Sequence, residues 1–195
     1  MSKWTKTMRV ILVGPPGSGK TTFLKKIAEK GIPTFNADTF IADSYKFNKP
    51  GYLIIKENLG SEFVNKKEVD RKKLREEILK NSEILKRLNE LIHPIVKDYL
   101  EDKDNYVAEL PIISNSPISF SYDKIVLITA SNKEIVRRLE KRNIRNELFL
   151  KFLFKKWNND ANYDYTVDTT NGISDEEVEK FIEFFNLKKT NKKNG

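Results

Sequence analysis

Eight residues near the start of the chain, Gly14-Pro15-Pro16-Gly17-Ser18-Gly19-Lys20-Thr21, satisfy G-x-x-x-x-G-K-[ST] at each fixed position. They follow a short apolar run over residues 8–13 and precede a segment over 20–30 that reads as a helix. A glycine-rich turn in that setting can curl so that successive main-chain N–H groups point inward, and the helix behind it adds the positive end of its dipole. Gly14, Gly17, Ser18 and Gly19 are therefore expected to cradle phosphate. Lys20 is expected to reach the β and γ oxygens of a bound triphosphate, Thr21 to offer its hydroxyl to Mg²⁺, and Thr22 to donate to the α-phosphate.

The rest of the chain fits around this loop. Gly31 stops the first helix, and residues 32–35 read as a second short strand ending at Asn36-Ala37-Asp38. Further strands are expected at 106–110, 125–129 and 165–167, with helices at 133–142 and 175–185 and Ser174 as an N-cap. Strands alternating with helices imply a parallel sheet covered on both faces. Between them, residues 50–102 are mostly helical by pattern, with Leu74, Ile78, Leu85, Leu88, Leu91, Ile92 and Ile95 recurring among charges. The expected fold class is therefore α/β: a three-layer α/β/α P-loop NTPase fold with a parallel sheet, one domain over 1–195, a helical acceptor-binding insertion at about 50–102 and a lid at about 143–157. Within the lid, Phe149, Phe152, Leu153, Phe154 and Trp157 read as packing of a helix, and 188–195 as a polar tail.

Composition narrows the function classes. The 195 residues include no cysteine, so neither a disulfide framework nor a thiolate metal site is available. No stretch approaches the roughly 20 apolar residues of a membrane helix. A cytoplasmic protein without a membrane partner is expected. The net charge of +8 favours anionic partners, and a nucleic-acid-stimulated ATPase is one reading of it. No nucleic-acid module with interleaved aromatics is recognisable, so no nucleic-acid partner is expected. Many lysines, moreover, alternate with Glu on helical faces and read as solvated ion pairs.

Three further positions stand out. Asp38 lies 18 positions past Lys20 at the end of the second expected strand. It suits the carboxylate that accepts a proton from an acceptor hydroxyl, or alternatively the N-cap of a helix starting at Thr39. Arg138 and Arg142 share a helix face at i, i+4, as phosphate recognition by planar guanidinium groups requires or as a solvated basic stripe would show. His93, the only histidine, precedes Pro94 and reads as the end of a helical segment.

Beyond the phosphate loop, the chain resembles the dephospho-CoA kinase family over roughly residues 9–185. The segments that carry the likeness are Gly31-Ile32-Pro33-Thr34-Phe35-Asn36-Ala37-Asp38, Pro50-Gly51, Gly60, Asp70-Arg71-Lys72-Lys73-Leu74 and Leu91-Ile92-His93-Pro94-Ile95. They continue with Glu109-Leu110-Pro111-Ile112-Ile113, the strand before Arg138 and Arg142, and Asn159-Asp160-Ala161-Asn162-Tyr163. The resemblance implies transfer of the γ-phosphate of ATP to the ribose 3′-hydroxyl of dephospho-CoA, with ATP and Mg²⁺ as cofactors. It implies Asp38 as general base, Lys20 and Arg138 as catalytic groups on the transferring phosphate, and Arg142 on ATP. His93, Pro94, Leu110 and Pro111 would shape the acceptor pocket, and Thr21 and Glu109 would hold the metal. Asn36 stands where the family usually has aspartate, Glu109 replaces an aspartate, Asn115 falls where glutamate is common, and Thr170 falls near a customary asparagine. These departures leave two other readings open: a different P-loop nucleoside or nucleotide kinase, or a nucleotide-binding protein that has lost catalysis.

Overall fold

The computed structural model describes residues 8–110, 121–144 and 162–189. These fall into two compact units, one of residues 8–35, 104–110, 122–144 and 162–189 and one of residues 36–103 and 121.

The first unit is built on a five-stranded sheet of β1 (Arg9–Val13), β2 (Thr34–Asn36), β3 (Tyr106–Glu109), β4 (Lys124–Thr129) and β5 (Tyr165–Asp168) in the order β2-β3-β1-β4-β5. β1 pairs in parallel with both β3 and β4, Ile11 lying opposite Ala108 on one side and Ile125 on the other, and β4 pairs in parallel with β5. A strand so enclosed must be apolar on both faces, which is why RVILV reads as a continuous run and not as an alternation. The central place of β1 has a functional consequence. Its carboxyl end opens where the connections run off in both directions, the position at which parallel sheets bind ligands.

Helices α1 (Lys20–Glu29), α6 (Asn132–Glu140) and α7 (Asp175–Phe184) belong to this unit, and the four helices between α1 and α6 lie in the other. Val10 and Leu12 of β1 share one cluster with Phe23, Leu24 and Ile27 of α1 and Val178, Phe181 and Ile182 of α7. Ile11, equally buried, points to the opposite face by strand alternation. At the centre of the cluster the rings of Phe23 and Phe181 meet edge to face, 5.0 Å apart at 84°, a geometry that aligns the positive ring edge with the negative ring face. Ser174 caps α7 as expected, in a full capping box with Glu177. The other strand and helix boundaries of this unit fall within two residues of those read from the sequence, whereas the second unit begins at residue 36, ahead of the expected insertion at about 50.

The second unit consists of α2 (Ala37–Ser44), α3 (Pro50–Asn58), a short 3-10 turn (Ser61–Phe63), α4 (Arg71–Lys80) and α5 (Ser82–Glu101). Tyr45, Tyr52, Ile55, Phe63, Val69, Leu74 and Ile92 form its core, and the Tyr52 hydroxyl donates to the Asn65 carbonyl at 2.9 Å. The apolar periodicity read straight through from Leu74 to Ile95 does not survive. Asn81 ends α4 and caps α5 by accepting from the Glu83 N–H, which resets the helical phase and leaves Leu85 43% exposed. Nor do His93 and Pro94 end a helix, since α5 continues through Pro94 to Glu101. Tertiary packing of Ile92, Val96 and Leu100 sustains the helix across the lost N–H, which would otherwise cost about 3 kcal/mol.

Among the described residues no helix is long and apolar enough to cross a membrane.

Two outcomes follow from this packing. Replacing the fully buried Phe23 with alanine opens a cavity beside Phe181 and lowers unfolding stability by about 3–5 kcal/mol, measured by urea denaturation. Burial lowers the pKa of His93 below its ordinary value, so the unfolded chain binds this proton more readily. Its contribution to stability is complete above about pH 6.5 and is lost as pH falls through that region. The drop in melting temperature between about pH 7.5 and pH 5.5 is therefore smaller in His93→Gln than in the parent chain.

Candidate active site

The glycine-rich loop leaves the end of β1 and delivers the chain into α1 at Gly19, which has φ of +96° and is the helix N-cap. The N-cap glycine has no side chain to cap this helix and no acidic residue of the helix itself lies in its first turn, so its own sequence leaves the amino-terminal N–H groups and positive dipole end open to an anion. Lys20 completes the basic environment. Its ammonium group folds back on the loop, donating to the carbonyls of Gly14 at 2.8 Å and Pro15 at 3.1 Å. Ser18 is fully buried, and its hydroxyl has no hydrogen-bond partner. Gly14 is required by close approach, because a Cβ there would collide with the Ile128 carbonyl oxygen of β4.

At the first turn of α1 the Thr21 hydroxyl lies 2.9 Å from one carboxylate oxygen of Glu109 and 3.2 Å from the other. Glu109 ends β3, the strand paired with β1, so sheet register sets this contact between residues 88 positions apart. A hydroxyl and a carboxylate are oxygen donors suited to a hard cation such as Mg²⁺, which takes one or two protein oxygens and fills its shell with water and phosphate. The described residues contain no group of three or more His, Cys, Asp or Glu placed for a metal.

Beside the loop lies a cleft of about 680 Å³, lined at one end by Gly17, Gly19 and Thr22 and elsewhere by Glu134, Arg137, Arg138, Arg142 and residues 169–173. Arg138 is largely engaged by the protein. Its Nε donates to Glu134 at 2.7 Å, one terminal nitrogen donates to the Gly17 carbonyl at 3.1 Å and the Thr169 hydroxyl at 2.9 Å, and the other donates to the Thr169 carbonyl at 2.6 Å. Glu134 also receives Arg137 at 2.6 and 2.7 Å. These hydrogen bonds, with Arg137 the larger influence, hold its carboxyl down to about 2; Glu134 thus stays ionised at any pH near neutrality. Arg142, expected on the helix, lies two residues past the end of α6; it lines the same cleft and is exposed.

The other sequence candidates divide as follows. Leu110 is buried in the first unit. Asp38, His93 and Pro94 belong to the second unit, with Asp38 the second residue of α2, directly after β2. The alternative of Asp38 as an N-cap is excluded, because Asn36 takes that position and accepts from the Thr39 N–H at 2.9 Å. The Asn36 departure thereby has a local explanation, asparagine and aspartate being equivalent caps. Thr170 has a structural role as well: its hydroxyl donates to Asp168 and accepts from the Ser131 N–H at 2.7 Å, tying the loop after β5 to the start of α6. Pro111, Asn115 and nearly all of the expected lid lie outside the described residues. Thr169 and Glu134 were not singled out by sequence, and only their proximity in the fold distinguishes them from other threonines and glutamates.

With this geometry in place, comparison with known proteins is specific. A family model described as dephospho-CoA kinase matches residues 8–155. The chain is 33% identical over 156 residues to the dephospho-CoA kinase of Mycoplasma pneumoniae, covering 75% of this chain and 78% of that one. It is 29% identical to the dephospho-CoA kinase of Fusobacterium nucleatum, covering 90% and 99% respectively. In fold it resembles the crystal structure of TT1252 from Thermus thermophilus, with a TM-score of 0.67 at 20% identity, covering 92% of this chain and 96% of that one. A phosphate loop opening an uncapped helix, on a sheet of this order and in a chain matched over most of its length, places the protein in the dephospho-CoA kinase family.

Proposed function

We propose that the protein transfers the γ-phosphate of ATP to the ribose 3′-hydroxyl of dephospho-CoA in the cytoplasm, giving coenzyme A and ADP. The observation that carries the reading is the phosphate loop itself: uncapped main-chain donors, the Lys20 ammonium group and the Thr21–Glu109 oxygen pair converge at the end of β1. Phosphoryl transfer asks a protein mainly to position groups and neutralise charge, and this is the set of groups that does so. Lys20 gives up its contacts with the Gly14 and Pro15 carbonyls for phosphate oxygens. Thr21 and Glu109 would hold Mg²⁺, which would supply positive charge to offset that of the phosphates. The cleft bounded by Arg142 and residues 169–173 takes the nucleoside end of ATP.

Asp38 acts as general base in this reading. As the 3′-oxygen forms its bond to the γ-phosphorus, its proton passes to the Asp38 carboxylate and the bond from γ-phosphorus to the bridging oxygen breaks, leaving ADP. His93 and Pro94 of the second unit meet the acceptor in this reading. Glu109 is one methylene longer than the aspartate common in the family, and the direct contact with Thr21 shows that the longer side chain still reaches the loop.

A coupled assay should show ADP release that requires dephospho-CoA and Mg²⁺ together; release with a nucleoside and none with dephospho-CoA would overturn the assignment. Asp38→Asn should lower kcat by roughly 10²–10⁴ while the rise in melting temperature caused by ATP persists. Undiminished turnover in that variant removes Asp38 from the role of base. Glu109→Gln should raise the Mg²⁺ concentration needed for half-maximal rate by about tenfold or more, read from a metal titration at saturating substrates.

A further inference from the structure

The geometry points to Thr169 and Arg138 as positioning residues that aim the Gly19 amide of the phosphate loop by holding the outward carbonyls of Gly17 and Ser18. This rests on the reading above that the loop binds the phosphates of ATP. It also gives Arg138 a different task from direct stabilisation of the transferring phosphate.

Thr169 follows β5 immediately, is fully buried, and its hydroxyl donates to the Ser18 carbonyl at 2.6 Å while accepting from Arg138 at 2.9 Å. Arg138 in turn donates to the Gly17 carbonyl at 3.1 Å. Two consecutive loop carbonyls are thus drawn outward by one linked pair. Because a peptide unit is planar and trans, fixing the Ser18 carbonyl on one side fixes the Gly19 N–H on the other. That N–H opens toward the concave side of the loop, where phosphate oxygens are received. Gly19 bears the mark of this arrangement. A Cβ on it would stand 3.0 Å from the Thr169 hydroxyl and 3.3 Å from Arg138, and its φ of +96° is unfavourable for any other residue. The side chain of glycine is given up so that the pair can approach the backbone.

Glu134 completes the assembly by holding Nε of Arg138 at 2.7 Å. Three donors of Arg138 to the Gly17 carbonyl and Thr169, and one to Glu134, fix the plane of the guanidinium group. Lysine, a single point charge, cannot span the same acceptors. The loop conformation needed for phosphate is therefore supported from behind by residues that are distant in sequence.

The test compares the parent protein with Thr169→Val, Thr169→Ser and Arg138→Lys, using calorimetric titration with ADP and with adenosine together with steady-state kinetics. Thr169→Val keeps the shape of the side chain and deletes the hydroxyl. It should weaken ADP binding roughly tenfold to a hundredfold, as loss of one or two buried hydrogen bonds predicts, and raise the KM for ATP in step. Adenosine binding and the KM for dephospho-CoA should stay at parent values, and Thr169→Ser should restore ADP affinity. Arg138→Lys keeps the charge and should also lose ADP affinity; a fall in kcat with ADP affinity intact would instead assign Arg138 to the transferring phosphate. Parent-like ADP binding in folded Thr169→Val, or equal loss for ADP and adenosine, overturns the inference. Should Thr169→Val fail to fold, Arg138→Lys decides the matter alone. A parent protein that binds ADP but does not phosphorylate dephospho-CoA refutes the proposed reaction and leaves this inference standing.

Discussion

Phosphate binding here depends on main-chain donors at the start of α1, a helix whose own N-cap supplies no side chain and whose own first turn supplies no acid. An uncapped, acid-free helix terminus is a local defect in stability, since a favourable cap is worth about 1 kcal/mol. The chain accepts that defect at the end of its most enclosed strand, where β3 and β4 flank β1 on both sides. α7, which carries no phosphate loop, has a full capping box instead. The contrast between the two helix starts within one unit separates a terminus reserved for a ligand from one closed by its own sequence.

The support of the loop is distributed over the sheet. Gly14 lies against Ile128 of β4, Thr21 meets Glu109 of β3, and Ser18 is gripped by Thr169 after β5. Each of these contacts comes from the carboxyl end of a strand, so the register of a parallel sheet assembles the site as a consequence of pairing. Lys20 is tied to the loop as well: it donates to the Gly14 and Pro15 carbonyls, so a partly buried ammonium group is hydrogen-bonded.

Legibility from sequence was uneven for physical reasons. The loop, five strands and the capped α7 were readable because each depends on neighbours within a few residues: glycine conformations, β-branched runs and a serine three positions before glutamate. Leu85 was misread as part of a continuous apolar face because Asn81 changes the helical phase with a single side-chain cap. Pro94 was misread as a terminus because buried contacts on α5 outweigh one missing hydrogen bond. Asn36 looked like a lost carboxylate and is a working N-cap, a role that only the position of the Thr39 N–H reveals.

The amino-acid sequence by itself determined that a phosphate loop would stand between a buried strand and a helix, and that a helical segment would interrupt the α/β alternation, because these features arise from local conformation and apolar patterning. Which residues stand behind that loop was decided only by tertiary structure. Thr169 and Glu134 carry no local signature, and nothing local shows that Arg138 faces the loop; Thr169 meets Ser18 and Arg138 meets Gly17 because strand order 2-3-1-4-5 brings the end of β5 and the helix after β4 beside the end of β1, and hydrogen bonds between residues more than a hundred positions apart exist only once that sheet has formed.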